Sequence, residues 1–284
     1  MKRFEEKDLE FTNCPLCNSG NNSTIYGFSP FNVVKCTECS FFFLNPRLTE
    51  DRVREIYREE DYFSGSECGY SDYSSQELAL RRTFRKLLSN LEKCGLTGGS
   101  LLEIGCGYGY LLDEAKGLFE YRAGTEFSKK ALDKAEEITD IVIHGGVDDI
   151  GKEREFDCII AVQVIEHVYD PKKFVSDLAG HLKPGGVLVL AAPNIGGFWH
   201  YVMRKKWASF ILPEHVQYFD KISIQRLLIE SGMKNVQVIP YPHAFPASLV
   251  FQKLKIPFPG FLKDFNIWIP GTTVAAVGIA NPES

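Results

Sequence analysis

The sequence predicts an α/β protein, a seven-stranded sheet with helices on both faces, preceded by a small zinc-ribbon module. From Ser100 onward, short apolar runs alternate with amphipathic stretches, which is the pattern of βαβ units. Four of the eight cysteines lie within the first 45 residues, in two C-x-x-C pairs. We therefore divide the chain into a zinc module (1–45), a helical linker (46–98) and an α/β domain (99–284).

Composition narrows the class of protein. The 284 residues are 44% hydrophobic and 24% charged, as in ordinary globular proteins, so a disordered chain is excluded. The net charge of −5 and the pI near 5.8 argue against a dedicated nucleic-acid binder. The first eleven residues hold no apolar stretch, and no uninterrupted apolar run is long enough to span a bilayer. The protein is therefore expected in the cytoplasm.

The element pattern of the α/β domain is regular. Predicted strands are Ser100–Ile104, Tyr121–Thr125, Ile141–His144, Asp157–Val162, Val187–Ala192, Asn235–Pro240 and Thr273–Ala280. Predicted helices are Gly109–Leu118, Ser128–Glu137, Pro171–Leu182 and Lys221–Ser231, with two earlier helices at Glu50–Arg58 and Gln76–Lys93. The connection 241–272 between the last two strands is long, and we interpret it as a lid or an insertion.

The cysteine quartet is the most specific local signal. Cys14 and Cys17 form one knuckle, Cys36 and Cys39 the other, and eighteen residues separate the pairs. Zn²⁺ binds four thiolates tetrahedrally in such ribbons, so the spacing predicts a structural zinc ion with no open coordination position. The alternatives are unrelated buried cysteines or a redox pair.

A glycine loop follows the first strand of the α/β domain. Gly105, Gly107 and Gly109 lie between a predicted strand and a predicted helix, where glycine lets the backbone approach a ligand closely. Glu126 follows the second strand and could accept hydrogen bonds from ribose hydroxyls. Position 110, where the dinucleotide fingerprint needs glycine, is Tyr110. The pattern therefore favours a nucleoside ligand without phosphates.

These motifs together resemble the class I S-adenosylmethionine-dependent methyltransferases. The resemblance lies in LLEIGCGYG at 101–109, Glu126, FDCIIAVQVIEHVYDP at 156–171, LKPGG at 182–186 and AAPN at 191–194. It implies a Rossmann-like methyltransferase sheet with a reversed final hairpin and S-adenosylmethionine as cofactor. The cofactor-binding residues that it implies are Glu103, Gly105, Gly107, Gly109, Glu126, Val147, Asp148 and Gln163.

The resemblance further implies that Glu103 anchors the loop, that Val147 and Asp148 flank the adenine, and that Gln163 lines the side of the site that holds the methyl donor. We interpret Glu166 and His167 as capping or packing residues, and Lys183–Gly186 as a helix stop and turn.

The candidate catalytic residues are Glu214 and His215, in the segment PEHVQYF at 213–219. An imidazole beside a carboxylate can take a proton near neutral pH. The segment is similar to the Glu-His-x-x-Tyr-Phe element of deoxysugar C-methyltransferases, which also carry an N-terminal four-cysteine zinc module. The present chain has Leu212 where those enzymes have tyrosine, and we expect no counterpart of their large C-terminal domain. The alternative is that His215 only orients its loop.

The predicted activity is methyl transfer to a small molecule, such as a nucleotide- or lipid-linked sugar. Gln163–Glu166 stands where amine methyltransferases of DNA carry an Asn/Asp-Pro-Pro-aromatic motif. The first alternative is an RNA methyltransferase that binds RNA through the zinc module. The second is a non-catalytic cofactor-binding scaffold. The basic cluster from Arg81 to Lys86 is either a solvated face or a phosphate contact, and 241–269 could touch a membrane interface.

Overall fold

The computed structural model describes residues 4–58, 73–254, 256–259 and 265–282. Cys68 and part of the connection 241–272 lie outside these ranges. The strands, in chain order, are β1 Leu9–Glu10, β2 Asn22–Phe28, β3 Phe31–Cys36, β4 Phe42–Leu44, β5 Arg47–Leu48, β6 Ser100–Ile104, β7 Tyr121–Glu126, β8 Ile141–His144, β9 Phe156–Val162, β10 Leu182–Pro193, β11 Gln217–Tyr218, β12 Lys234–Ile239, β13 His243–Pro246, β14 Asn266–Ile269 and β15 Thr273–Ile279. The α-helices are α1 Glu50–Arg58, α2 Glu77–Lys93, α3 Tyr110–Glu114, α4 Lys129–Ala135, α5 Pro171–Ala179, α6 Phe198–Met203, α7 Lys221–Glu230 and α8 Ala247–Leu254.

The central sheet has seven strands in the order β12-β15-β10-β9-β6-β7-β8. Strands β10, β9, β6, β7 and β8 pair in parallel, whereas β15 runs antiparallel to both of its neighbours. The seven-stranded α/β fold and the reversed final strand are therefore confirmed. The carboxyl ends of β6, β7 and β9 meet at one edge, which is where such sheets bind ligands.

One turn prediction was wrong. Residues Lys183–Gly186, expected to end a helix and form a turn, lie within β10. The helix before them already ends at Ala179, with Gly180 as its C-cap. The register between β10 and β9 shifts from Leu182 to Val187, and Gly185 has φ of 77°. The residues that suggested a turn thus form a bulge inside a strand.

A strand from the C-terminal half of the chain completes the N-terminal sheet. Strands β2, β3 and β4 pair antiparallel, and β11 adds to the edge of β4. The Leu44 amide also donates to the Val216 carbonyl at 2.9 Å. Because β11 begins two residues after His215, the cysteine-bearing sheet fixes the backbone beside the candidate catalytic residues.

Aromatic packing joins this sheet to the α/β domain. Phe41 is 1% exposed, and its ring lies 5.1 Å from that of Phe219 and 6.5 Å from that of Phe43. Phe41 and Phe43 belong to the same buried cluster as Ile159 and Leu190 of the central sheet. The two parts therefore share a hydrophobic core, and burial of large aromatic rings is a major source of such stabilisation.

The connection 241–272 contains regular elements. β13 and β14 form an antiparallel pair, and α8 follows β13. The Ala244 amide donates to the Thr83 hydroxyl at 2.9 Å, and the Asn90 side chain donates to the Pro240 carbonyl at 2.9 Å. These bonds attach the connection to α2.

Candidate active site

The glycine loop turns tightly at the carboxyl end of β6. Gly105, Gly107 and Gly109 have φ values of 68°, 54° and 75°, in the left-handed region that favours glycine. Gly105 donates its amide to the Thr125 hydroxyl at 3.3 Å, and the Cys106 amide donates to the Thr125 carbonyl at 2.9 Å. Strand β7 therefore holds the loop in a tight turn. Because the three glycines have no side chains, a ligand could approach the backbone closely at these positions.

Glu126 organises this edge of the sheet. Its carboxylate is 5% exposed and accepts hydrogen bonds from the amides of Gly107 at 2.9 Å and Ser128 at 2.7 Å. Burial raises the pKa of this carboxyl, while the backbone donors act in the opposite direction. Each carboxylate oxygen keeps a second lone pair, so the group can also accept hydrogen bonds from a ribose.

Glu103 lies in β6, two residues before Gly105, and its Oε2 makes no anchoring hydrogen bond to the loop. That atom is buried and has no hydrogen-bond partner among the described residues. Burial, followed by the neighbouring charge of Glu126, raises the pKa of Glu103 well above its usual range. The anchoring contacts come from Thr125 and Glu126, which the sequence analysis did not assign to that task. Oε2 of Glu103 is an acceptor that a ligand amine could use.

The expected adenine side follows β8. Val147 is half-buried and Asp148 exposed, in a 3₁₀ turn that spans Val147–Asp149. A Cβ on Gly146 would lie 2.9 Å from the ring of Phe127, which is itself 72% exposed. Sequence reasoning missed Phe127. An aromatic residue directly after Glu126, the acid expected to bind a ribose, was the available signal, since an exposed ring offers a base a stacking surface.

Gln163 directly follows β9 and has a strained backbone conformation. Its φ is 57°, and its amide donates to the Ala191 carbonyl at 2.8 Å. Its side-chain Nε2 is buried without a partner in the described part of the chain. Positive φ at a residue other than glycine costs free energy and is often found at ligand sites. The conformation is what we expect of a residue whose side chain meets a ligand.

His215 is held by a backbone carbonyl. The ring is 4% exposed, and Nδ1 lies 2.9 Å from the Ser209 carbonyl oxygen. A carbonyl only accepts, so Nδ1 carries the hydrogen and Nε2 keeps its lone pair. Burial and the adjacent His167 lower the pKa of His215 well below its usual range. Glu214 is also buried.

Glu166 and His167 join His215 in one cluster. The rings of His167 and His215 are perpendicular, with centroids 4.7 Å apart, and candidate donor atoms of all three residues lie within 4.8 Å of one another. Of the two roles expected for Glu166, capping or packing, the side chain is buried but does not cap, because neither of its carboxylate oxygens has a hydrogen-bond partner among the described residues. Burial raises the pKa of Glu166 to about 8 and lowers that of His167 to about 4.

The four N-terminal cysteines converge. Sγ of Cys14 lies 3.4 Å from that of Cys39, and Sγ of Cys17 lies 3.5 Å from that of Cys36. All four sulfurs lie within 4.8 Å of one another, close to the spacing of about 3.8 Å expected for ligands 2.3 Å from one zinc ion. Burial raises the pKa of the Cys36 thiol, but amides of Cys39 and Glu38 outweigh it and bring that pKa to about 7. The donor set fits Zn²⁺.

The basic cluster on α2 is largely neutralised. Arg81 pairs with Glu77, Asp113 and Glu114, and Arg85 pairs with Glu114. Arg82 and Lys86 line an open groove of about 390 Å³ beside Trp268. Most of this face is thus an ion-paired surface. In the described ranges, no helix combines the length and the apolar composition needed to cross a bilayer.

Comparisons with known proteins agree with this geometry. A profile for the methyltransferase domain matches residues 77–238. A ubiquinone biosynthesis O-methyltransferase of Xylella fastidiosa is 30% identical over 193 residues, covering 61% of this chain and 76% of the relative. A second, from Bradyrhizobium diazoefficiens, is 29% identical over 136 residues, covering 45% of this chain and 49% of the relative.

Solved structures share the fold. An S-adenosylmethionine-dependent methyltransferase of Thermotoga maritima has a TM-score of 0.54 at 21% identity, over 74% of this chain and 95% of that one. Magnesium protoporphyrin IX methyltransferase of Synechocystis, solved with S-adenosylhomocysteine, has a TM-score of 0.51 at 15% identity, over 81% and 94%. The chain belongs to the class I S-adenosylmethionine-dependent methyltransferases.

Proposed function

We propose that this enzyme methylates a hydroxyl oxygen of a nucleotide- or lipid-linked sugar, and that His215 accepts the proton. The observation that carries the proposal is the buried imidazole whose Nδ1 is bound to the Ser209 carbonyl. That bond fixes the tautomer in which Nε2 is a proton acceptor. The relatives in ubiquinone biosynthesis, which are O-methyltransferases, support oxygen as the acceptor atom.

The roles of the remaining site residues follow from their contacts. When bound, S-adenosylmethionine supplies an electrophilic methyl group. The loop with Gly105, Gly107 and Gly109 would lie against its amino-acid part, and Glu126 would accept from its ribose. Glu103 Oε2 and Gln163 Nε2 are buried without partners in the described ranges, so each can bond to the ligand. Val147, Asp148 and Phe127 would surround the adenine.

Glu214 and Glu166 would shape the part of the site around His215, where the proton is accepted. Glu214 lies next to His215 in the chain, and the pKa of Glu166 is raised to about 8 by burial. A neutral Glu166 at pH 7 adds no charge that would compete for the proton. Glu166 and His215 are buried from solvent, which strengthens electrostatic interactions between them.

We also propose a structural Zn²⁺ on Cys14, Cys17, Cys36 and Cys39. Four thiolates leave no coordination position open, so the ion stabilises the module and takes no part in catalysis. The division into 1–45, 46–98 and 99–284, and the role of 241–272 as a lid or an insertion, remain predictions.

Replacing His215 tests the proposal. We expect His215→Ala to bind S-adenosylmethionine normally and to lose about 10²- to 10⁴-fold in kcat, because only proton removal is lost. His181→Ala is the matched control, since that histidine is bonded to the Arg154 carbonyl just before β10, at the opposite end of the strands from the site. A loss of less than tenfold would reduce His215 to an orienting role. If activity disappeared when no divalent cation was added, this would contradict the proposal that the metal-free imidazole of His215 is the base.

The acceptor class needs a separate measurement. Tritiated methyl donor is incubated with the enzyme and an extract of the source cells, and products are separated into acid-soluble, lipid and ribonuclease-sensitive fractions. Label in the first two fractions supports a sugar or lipid-linked acceptor. Label that ribonuclease releases would show an RNA methyltransferase instead.

A further inference from the structure

The short helix α6 exposes an apolar face. Phe198, Tyr201 and Val202 are 65%, 72% and 56% exposed, and their i, i+3, i+4 spacing places them on one side of the helix. The opposite side is attached to the protein: the Trp199 indole donates to the Pro270 carbonyl at 2.8 Å, and the His200 ring lies 3.2 Å from the Tyr26 hydroxyl. The exposed apolar side chains are therefore held outward by a fixed helix.

A basic turn follows directly. Arg204, Lys205 and Lys206 form a 3₁₀ turn in which all three side chains are exposed. Arg204 ends α6 with φ of 48°, a conformation that turns the chain sharply. Its guanidinium lies 6.0 Å from the Tyr201 ring centroid, and Lys205 Nζ lies 5.1 Å from that of Phe28. Aromatic and basic side chains thus occur on one continuous surface.

The charge of this surface is opposite to that of the whole chain. The net charge is −5, yet no Asp or Glu occurs between Asp177 and Glu214. The three basic residues are consequently not neutralised by acidic neighbours in their own segment. Exposed aromatic residues beside uncompensated lysine and arginine are the combination that binds anionic lipid headgroups and inserts apolar side chains below them.

We propose that Phe198, Tyr201, Val202, Arg204, Lys205 and Lys206, here called the docking face, bind the enzyme to an anionic phospholipid bilayer. The proposal moves the membrane contact away from 241–269, where the sequence alone suggested it. Membrane binding would bring the enzyme to a lipid-linked acceptor. The proposal rests on the proposed function only for the identity of that acceptor.

The docking face is connected to the candidate base. Three residues after Lys206, the Ser209 carbonyl accepts from His215 Nδ1 at 2.9 Å. The Ile195 amide, just before α6, donates to the Phe219 carbonyl at 2.9 Å. An acceptor whose lipid lies in the bilayer would therefore be presented close to His215.

Vesicle flotation of the purified, full-length enzyme tests the proposal. We expect binding to phosphatidylcholine vesicles that contain 30% phosphatidylglycerol, weak binding to pure phosphatidylcholine, and loss of binding at high salt. The triple variant Arg204→Gln/Lys205→Gln/Lys206→Gln should lower the partition coefficient of the enzyme for the anionic vesicles about 100-fold, because each basic residue contributes roughly tenfold or less. Phe198→Ser/Tyr201→Ser should lower it as well, since the apolar insertion is lost.

Matched controls change the same chemistry elsewhere. Lys129→Gln/Lys130→Gln/Lys152→Gln removes three exposed charges, and Ile222→Ser/Ile229→Ser removes two exposed apolar side chains of α7. Both should bind vesicles as the parent does. No binding by the parent, equal losses in the controls, or a dimer that Phe198→Ser/Tyr201→Ser dissociates would overturn the proposal. The assay uses no acceptor, so its failure is distinct from failure of the proposed O-methylation.

Discussion

Glu126 combines two tasks in one carboxylate. It accepts from the amides of Gly107 and Ser128, and its remaining lone pairs would accept from the ribose of the proposed cofactor. We expect Glu126→Ala to lower S-adenosylmethionine affinity more than about 100-fold, because two charge-assisted hydrogen bonds are lost and the loop is released. Titration calorimetry measures this, with Glu137→Ala, an exposed acid on another surface, as control. Unchanged affinity would remove Glu126 from the cofactor site.

Glu166 makes stability depend on pH in a defined direction. Its pKa is raised from 4.5 to about 8, so the folded protein keeps a proton that the unfolded chain releases above pH 4.5. The contribution is complete below that value and is lost as pH rises to 8. Glu166→Gln does not titrate, so its stability relative to the parent should rise by up to about 1.4 kcal/mol per pH unit between 5 and 8.

Urea unfolding at pH 5.5 and pH 8 measures this difference. Glu137→Gln, a change at an exposed carboxyl, should give the same difference from the parent at both values. A difference for Glu166→Gln that is independent of pH would mean that the Glu166 carboxylate is ionised in the folded protein.

At the scale of elements, sequence patterns located the central sheet well. The bounds of β6 and β8 were predicted to the residue, because each is a short apolar run between strong turn signals. Strand β11 could not be found in this way. It has two residues, and the partner that makes it a strand, β4, lies more than 170 positions earlier. The same limit hid the cluster of Glu166, His167 and His215, which only tertiary packing brings together.

Phe41 tests whether the cysteine-bearing sheet and the central sheet form one cooperative unit. Phe41→Ala should lower the free energy of unfolding by about 3–5 kcal/mol, because the removed ring leaves a cavity against Phe219 and Phe43. Phe11→Ala, at a side chain that is 82% exposed, should change it little. Chemical unfolding followed by both fluorescence and circular dichroism should show coincident transitions, and two separated transitions would contradict a shared core.

At the scale of the molecule, the proposed zinc ion should stabilise the whole enzyme. Cys36→Ser should abolish stoichiometric zinc, measured by atomic emission, and lower the melting temperature of the entire chain, because β11 links the module to the α/β domain. Cys94→Ser, which changes an isolated exposed cysteine, should retain one zinc per chain. Full zinc content in Cys36→Ser would refute the four-cysteine site.

The shared sheet also imposes an order of events during synthesis. A ribosome releases β2, β3 and β4 early, but β11 emerges about 170 residues later, at roughly 10–30 s for ordinary translation speeds. Until then β4 presents an uncovered edge, the kind of strand that recruits other chains. Nascent or truncated forms of this enzyme that end before Gln217 should therefore be the aggregation-prone ones, and chaperone demand should fall once the C-terminal half has emerged.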